Sequence, residues 1–347
     1  MSPLDLAPLS PRPLISVVIP CFNQGAFLGE AVQSALDQTY PEVEVLVLDD
    51  GSTDPETQRL LSEFKRPKTR VFREPNRGLG AARNFLIERS QGELICALDA
   101  DDRLHPELFE AALERFGAEP DLSFVSSWVE LFGEEEWIWR QTRCDLVTLL
   151  VEDTVMTPAL VRRQAVVESG GYAEDMPHMG DEDWELWLRL VKEGHRGAIL
   201  PRVLFHYRQR EGSMARDCTR GRQHLDLTRD RIERHREAYR THLDAVLAQQ
   251  NETLAELVAE THAMETDART REELVTAQRA ELAELEAQLA DPTALSALRA
   301  ENRRLRESLD VLDAERRALR DSASWRLTRP LRRGLDLLRR LRGRGPS

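Results

Sequence analysis

The distribution of glycine divides this 347-residue chain into two parts that must fold differently. Fifteen of the 18 glycines lie at or before Gly221, and none falls between Arg222 and Arg333. Over that stretch Ala, Glu, Leu and Arg dominate, and Tyr239 is the last aromatic residue before Trp325. Because Gly marks turns, whereas a Gly-free sequence of this composition is typical of a long helix, we predict a globular part followed by a helical stalk.

These composition limits predict a globular domain at 14–221, a stalk at 222–323 and tails at 1–13 and 324–347. The first tail holds four prolines and lacks the basic and apolar run of a signal peptide, so we expect it to be flexible. The chain has no 18-residue apolar stretch, and its four widely spaced cysteines fit a reducing compartment. We therefore expect a cytoplasmic protein, either soluble or peripheral on the cytoplasmic face of a membrane.

Charge is distributed as unevenly as glycine. The net charge of −13 argues against a nucleic-acid partner, because phosphate contacts favour basic proteins. In contrast, residues 324–347 contain eight Arg and one Asp, with leucines close to helical spacing and Trp325 at the start. This pattern is typical of a helix that lies on an anionic membrane. The alternative is a tail that pairs with the acidic body or stays disordered.

Strand and helix patterns alternate in the globular part. Residues 14–19, 43–48 and 93–98 are short apolar runs that predict buried strands, and helical spacing follows each of the first two. The alternation predicts an α/β fold with a doubly wound, mostly parallel sheet. Ligands bind at the carboxyl ends of such strands, where Asp49-Asp50 and Asp99-Ala-Asp101-Asp102 would lie.

The aspartates at 99–102 have two interpretations. Crowded carboxylates repel one another unless a cation binds them, and hard oxygen ligands suit Mg²⁺ or Mn²⁺. A solvated acidic turn that caps the following helix would give the same pattern. The spacing alone leaves both open.

The stalk shows a heptad pattern around Asn302. Leucines alternate at spacings of three and four between Leu295 and Leu312, and Asn302 falls at a core position of that repeat. A core Asn fixes register and favours two parallel strands, so we expect a coiled-coil homodimer. A single solvated helix, or one that folds back on the body, is the alternative.

Six ordered motifs in the globular part resemble those of the family 2 glycosyltransferases, inverting enzymes with the GT-A fold. The motifs are SVVIPCFN (16–23), VLDDGSTD (47–54), GLGAARN (78–84), LDADD (98–102), GGY (170–172) and GDEDWELW (180–187). The resemblance covers about residues 14–215 and implies a GT-A domain, with a nucleotide-binding half at 14–105 and an acceptor half at 106–221.

The resemblance also implies roles for individual residues. Pro20, Phe22 and Asp50 match positions that hold the nucleotide, and a carboxylate at Asp50 can accept from uracil, which favours UDP or dTDP donors. Arg83 matches an arginine near the diphosphate, where its planar fork of donors suits phosphate oxygens.

The resemblance assigns the metal ligands and the general base to the two acidic motifs. Asp99 and Asp101 match the DXD motif that brings in Mg²⁺ or Mn²⁺, while Asp102 is an alternative direct ligand. Asp183 matches the general base that takes a proton from the acceptor hydroxyl.

The resemblance leaves two questions open. Arg210 stands where family members often have a His, so either His206 or Arg208 completes the diphosphate site. The acceptor is expected to be a glycan or a lipid-linked sugar in surface polysaccharide or glycoconjugate synthesis. The alternatives are a nucleotidyltransferase, or a coiled-coil scaffold with a degenerate transferase head.

Overall fold

The computed structural model of the protein describes residues 6–134, 136–210, 221–288 and 295–321. Its strands are β1 (Ile15–Cys21), β2 (Val43–Asp50), β3 (Thr69–Glu74), β4 (Leu94–Ala97), β5 (Arg103–Leu104), β6 (Leu122–Gly133), β7 (Trp137–Trp139), β8 (Leu160–Arg162) and β9 (Arg196–Gln209). Its helices are α1 (Gly25–Leu36), α2 (Pro55–Glu63), α3 (Leu79–Arg89), α4 (Leu108–Ala118), α5 (Leu146–Val151), α6 (Arg163–Glu168), α7 (Glu182–Lys192), α8 (Gly221–Arg234), α9 (Arg236–Thr241), α10 (Leu243–Gln288) and α11 (Leu295–Asp321).

The strands form one twisted sheet in the order β3-β2-β1-β4-β8-β6-β9-β5, with β7 beside β6. The expected α/β class is confirmed, and the first four strands are all parallel. Beyond β4 the sheet is mixed, since β8 is antiparallel to both of its neighbours while β6 and β9 run parallel. The loops that follow β1, β2 and β4 therefore meet at one edge of the sheet.

Both faces of the parallel strands are buried, which explains why these runs are apolar throughout instead of alternating. Val17, Val45 and Cys96 pack in one cluster of apolar side chains, with α1 and α4. The residues next to these in each strand, Val18, Leu46 and Ile95, point to the opposite face. They pack in a second cluster with α3 and α7. The sheet therefore carries helices on both faces.

The N-terminal segment makes hydrogen bonds to the globular part from Ala7 onwards, while its flexibility stays a prediction. The Ala7 N–H donates to Gln164 Oε1 at 3.0 Å, and the Ala7 carbonyl accepts from Arg162 Nη1 at 2.8 Å. Ser10 binds the Glu93 carboxylate through both its N–H and its hydroxyl. Prolines prevent regular structure here, but these side chains satisfy the backbone of the segment.

The first compact unit runs to Gln249, beyond the limit of 221 that composition indicates. Helices α8 and α9 belong to it, and Leu227 of α8 is 1% exposed. Tyr239 of α9 donates its hydroxyl to the Leu150 carbonyl at 2.7 Å. Composition cannot detect this boundary, because a helix that packs on a domain and one that leaves it have the same residue content.

The second unit contains the rest of α10 together with α11, which run antiparallel to each other. Arg271 pairs with Glu315 at 3.2 Å, and Arg279 pairs with Asp313 at 3.0 Å. Asn302 is 8% exposed. The expected long helices are therefore present and pair within one chain, whereas a parallel homodimer stays a prediction.

One sequence prediction concerns residues that the structure does not describe. The basic tail at 324–347 lies outside the described ranges. Among the described helices, none combines the length and apolar character needed to cross a bilayer.

Candidate functional site

A hydrogen-bonded loop system joins the ends of β1 and β2. Asn23, with a left-handed φ of 56°, accepts through Oδ1 from the N–H groups of Thr53 and Asp54 at 2.8 and 2.9 Å. Its own N–H donates to Ser52 Oγ at 3.1 Å. Asp54 in turn caps α2 by accepting from the Thr57 N–H. These bonds fix the two loops relative to each other before any ligand binds.

The residues predicted to hold a nucleotide lie around this loop system. Pro20 is buried in β1, and Phe22 is 43% exposed, which leaves its ring free to stack on a base. Asp50 is 5% exposed, and its Oδ1 accepts from the Arg77 N–H at 3.1 Å. Burial raises the pKa of Asp50, although the backbone N–H groups of Arg77 and Gly78 act in the opposite direction.

The three aspartates after β4 accept hydrogen bonds from different partners. Asp99 accepts from Arg83 Nη2 at 2.8 Å, and its side chain is 31% exposed. Asp101 accepts through Oδ2 from both Gln24 Nε2 at 3.0 Å and Arg210 Nε at 2.8 Å. Asp102 is 2% exposed and accepts from the Arg208 N–H at 2.8 Å. Burial, together with the two neighbouring aspartates, raises the pKa of Asp102 well above its ordinary value.

Arg83 links this aspartate turn to the second acidic motif. Its side chain is 2% exposed, and its guanidinium lies 5.1 Å from the centre of the Tyr172 ring. Asn84 holds that tyrosine by donating to its carbonyl and accepting from its N–H, at 2.9 and 2.8 Å. The charge of Arg83 also acts on Glu182 and Asp183, lowering the pKa of each carboxyl against the effect of burial.

Asp183 lies in the first turn of α7, where the helix dipole favours a carboxylate. Its Oδ2 accepts from the Thr157 hydroxyl at 2.6 Å, and its Oδ1 accepts from the Trp184 N–H at 3.0 Å. Burial raises its pKa, while Arg83 and Thr157 hold the rise back. A carboxylate with a raised pKa and fixed orientation is a suitable proton acceptor at neutral pH.

Arg208 at the end of β9 and Arg210 just after it contact the aspartate turn through their side chains. Arg208 donates through Nε to the Asp101 carbonyl at 2.7 Å, and Arg210 donates to the Asp101 carboxylate. His206 Nδ1 instead lies 2.7 Å from Glu130 Oε2 on β6. Arg208 and Arg210 therefore contact the aspartate turn, whereas His206 contacts Glu130, and which residue completes a diphosphate site stays a prediction.

The aspartates do not form a complete metal cage by themselves. Among the described residues, no group of three His, Cys, Asp or Glu side chains is arranged to hold an ion. A Mg²⁺ ion, however, usually takes only one or two carboxylates and completes its shell with phosphate oxygens and water. Asp99 and Asp101 fit that requirement, since both side chains retain some exposure, whereas Asp102 is nearly enclosed.

Sequence reasoning missed several residues of this site. Asp153 lies close to Asp183, and burial with the Asp183 charge raises the Asp153 pKa well above its ordinary value. Thr157 binds Asp183 directly, and Arg231 of α8 reaches the same turn. These residues belong to none of the six motifs, and in a single sequence nothing distinguishes them from ordinary surface positions.

Comparison with known proteins gives consistent matches to glycosyltransferases and polysaccharide synthases. The family model described as Glycosyl transferase family 2 matches residues 16–173. Chondroitin synthase of Escherichia coli is 37% identical over 124 residues, which cover 35% of this chain and 18% of that protein. An uncharacterized glycosyltransferase of Haemophilus influenzae is 30% identical over 190 residues, covering 52% of this chain and 73% of that protein.

A solved structure has a similar fold. S. aureus TarS 1–349 in complex with UDP-GlcNAc superposes with a TM-score of 0.50 over 58% of this chain and 60% of that one. The two sequences are 20% identical over the match, so the likeness concerns the fold. The matched region spans less than a fifth of the length of chondroitin synthase.

Proposed function

Because the chain belongs to glycosyltransferase family 2, we propose that it moves a sugar, with inversion, from a nucleoside-diphosphate donor to an acceptor hydroxyl. The observation that carries the proposal is the position of Arg83. It hydrogen-bonds Asp99 of the DXD motif and acts electrostatically on Asp183, so both acidic motifs serve one site.

The nucleotide would lie over the ends of β1 and β2. The exposed Phe22 ring offers a stacking surface, and the Asp50 carboxylate offers an acceptor for a base N–H. TarS was crystallised with UDP-GlcNAc, which makes a UDP-sugar the first donor to test, with dTDP-sugars next.

The diphosphate would be held by cations that already lie around the aspartate turn. The Nε of Arg83 is buried and finds no acceptor in the part of the chain that the structure describes, so a phosphate oxygen would satisfy it. Asp99 and Asp101 would hold Mg²⁺ or Mn²⁺, with Asp102 as the alternative ligand. The ion would supply electrostatic stabilisation for the leaving diphosphate.

Asp183 would take the proton from the acceptor hydroxyl as that oxygen attacks the anomeric carbon. One backside displacement inverts the configuration at that carbon and requires no nucleophilic side chain. The similarity to chondroitin synthase supports a glycan acceptor in polysaccharide synthesis, and a lipid-linked acceptor is the alternative.

The decisive experiment measures nucleotide release from UDP-GlcNAc, UDP-glucose, dTDP-glucose and GDP-mannose, each with Mn²⁺, Mg²⁺ or EDTA. We expect release from at least one donor, in the presence of a divalent ion only. No release from any donor by a protein that binds UDP would refute the proposal and favour the scaffold alternative. Release that persists in EDTA would refute the metal assignment alone.

A further inference from the structure

Helix α8 lies outside the region of the family match, yet it contributes a buried cation beside the Glu182-Asp183 motif. Arg231 of α8 has a side chain that is 6% exposed, and its Nη1 donates to Asp181 Oδ2 at 2.6 Å. Its guanidinium also lies over the Trp184 ring, 3.3 Å from the ring centre. One side chain therefore contacts the residues immediately before and after the acidic motif.

This contact constrains the turn that presents Asp183. Asp181 precedes the first residue of α7, and its side chain makes no capping hydrogen bond to the helix backbone. It is held by Arg231 instead. Trp184 is fixed from its other side, because its Nε1 donates to the Leu149 carbonyl at 2.7 Å. The planar guanidinium can bind a carboxylate and stack on an indole at once, a combination that Lys cannot reproduce.

The charges around this turn would otherwise be strongly unbalanced. The groups that face Asp183 or its neighbours are the acids Asp99, Asp153, Asp181 and Glu182, the phenols Tyr172 and Tyr207, the cations Arg83 and Arg231, and the imidazole of His224. Arg83 compensates the negative charge on the side of the turn towards Asp99. Arg231 compensates it on the opposite side, where it lowers the pKa values of Asp153 and Asp181 against the effect of burial.

We propose that Arg231 is a positioning residue for the transfer reaction, which holds the first turn of α7 so that the Asp183 carboxyl is fixed opposite the acceptor. The proposal rests on the proposed function, since it concerns the same base. It also makes the beginning of the predicted stalk a part of the active site. The mechanism is indirect, because Arg231 acts through Asp181 and Trp184.

The test compares Arg231→Met with Arg229→Met. Arg229 is on the same helix, but its side chain is 77% exposed and lies 3.5 Å from Asp226 in a surface ion pair, so its loss should change little. The full-length variants are assayed for UDP affinity by calorimetry, for melting temperature, and for kcat and KM of UDP-GlcNAc turnover with Mn²⁺ between pH 5 and 9.

For Arg231→Met we expect UDP affinity within about twofold of wild type, because the nucleotide residues lie on other elements. We expect kcat to fall by about ten- to a hundredfold, as for a misplaced catalytic group. The acid limb of the kcat profile should move to higher pH, since removing a cation lets the neighbouring carboxylates hold a proton more tightly. Arg231→Lys should restore the limb while recovering only part of kcat.

A double-mutant cycle tests the route through Asp181. If Arg231 acts through that carboxylate, Asp181→Asn and Arg231→Met should be strongly non-additive in kcat. Equal kcat and pH profiles for the two Met variants would overturn the inference while leaving the proposed function intact. A parallel loss of kcat and UDP affinity, or additive effects in the cycle, would also overturn it. A wild-type protein that turns over no donor would overturn both.

Discussion

Replacing Asp183 with Asn removes a proton acceptor while keeping almost every contact of the side chain. The Asn carbonyl can still accept from the Trp184 N–H, which lies 3.0 Å from Oδ1 in the wild-type protein. Its amide can donate to Thr157 Oγ1, which lies 2.6 Å from Oδ2, once the threonine hydroxyl turns to accept. The variant should therefore fold and bind nucleotide normally.

The expected loss in rate is the contribution of a positioned general base. That contribution is about 10²- to 10⁴-fold in kcat. At roughly 1.4 kcal/mol per tenfold, this equals about 3 to 5 kcal/mol of transition-state stabilisation. In the wild-type protein kcat should also fall as pH drops through the raised pKa of Asp183, because only the carboxylate can accept the proton.

The same substitution should raise stability. Burial raises the pKa of Asp183, so the folded protein binds this proton more tightly than the unfolded chain does. The free energy of unfolding therefore decreases as pH rises above the ordinary range for Asp, and the carboxylate is a net cost at neutral pH. A neutral Asn avoids that cost, and the melting temperature at pH 7 should increase.

The assay measures kcat, KM and UDP affinity for Asp183→Asn, with Asp121→Asn as the control. Asp121 is 59% exposed and pairs with Arg196 away from the site, so its variant should keep wild-type kinetics. A variant at Asp183 that loses donor affinity at unchanged kcat would refute the assignment of Asp183 as the base. So would a loss of kcat accompanied by a lower melting temperature, because that would indicate a structural role.

Four further predictions concern the other parts of the chain. Asp101→Asn should nearly abolish turnover and weaken donor binding only when Mn²⁺ is present, whereas equal binding with and without the ion would contradict the metal role. Asp50→Ala should weaken UDP binding by roughly tenfold, the value of one charge-assisted hydrogen bond, and isothermal titration that finds no change would exclude Asp50 from the base contact. A chain cut after residue 249 should be monomeric by light scattering if the stalk forms the dimer, and a truncated protein that stays dimeric would locate the interface in the first unit. Full-length protein should co-sediment with anionic vesicles more than residues 1–323 do, less so at high salt, and equal pelleting would remove the membrane role from the tail.

The sequence located candidate site residues best where they follow the carboxyl ends of parallel strands. Asp50 and Asp99 could be located from the apolar runs before them, because parallel strands bring their carboxyl ends to one edge. The predicted role of Asp183 as the general base followed from the family resemblance. The contacts of Arg231 could not be inferred, since they depend on how α8 packs against α7 and not on any local pattern. His206 and Arg208 could not be separated either, because the choice depends on which neighbour each side chain finds on β6 or beyond β4.

Burial of both faces of the parallel strands has a consequence for how the chain finds its alignment. In a sheet with one solvent-exposed face, shifting the register of a strand by one residue would move its apolar side chains into water. The free-energy cost of that exposure selects the correct register. Here Val17 and Val18 are both fully buried, so a register shift of β1 by one residue costs much less free energy. The apolar pattern alone therefore does not specify the register of this strand.

Polar side chains at the two ends of β1 specify its register relative to the neighbouring strands. At the start of the strand, Ser16 Oγ donates to Glu44 Oε1 at 2.6 Å and accepts from the Gly92 N–H at 2.8 Å, which joins β1 to both neighbours. A Cβ on Gly92 would lie 2.5 Å from that oxygen, so no other residue fits. At the far end, Asn23 aligns β1 with the loop after β2. The positions of the predicted nucleotide-binding residues relative to one another thus depend on a serine, a glycine and an asparagine, none of which is proposed to touch the substrate.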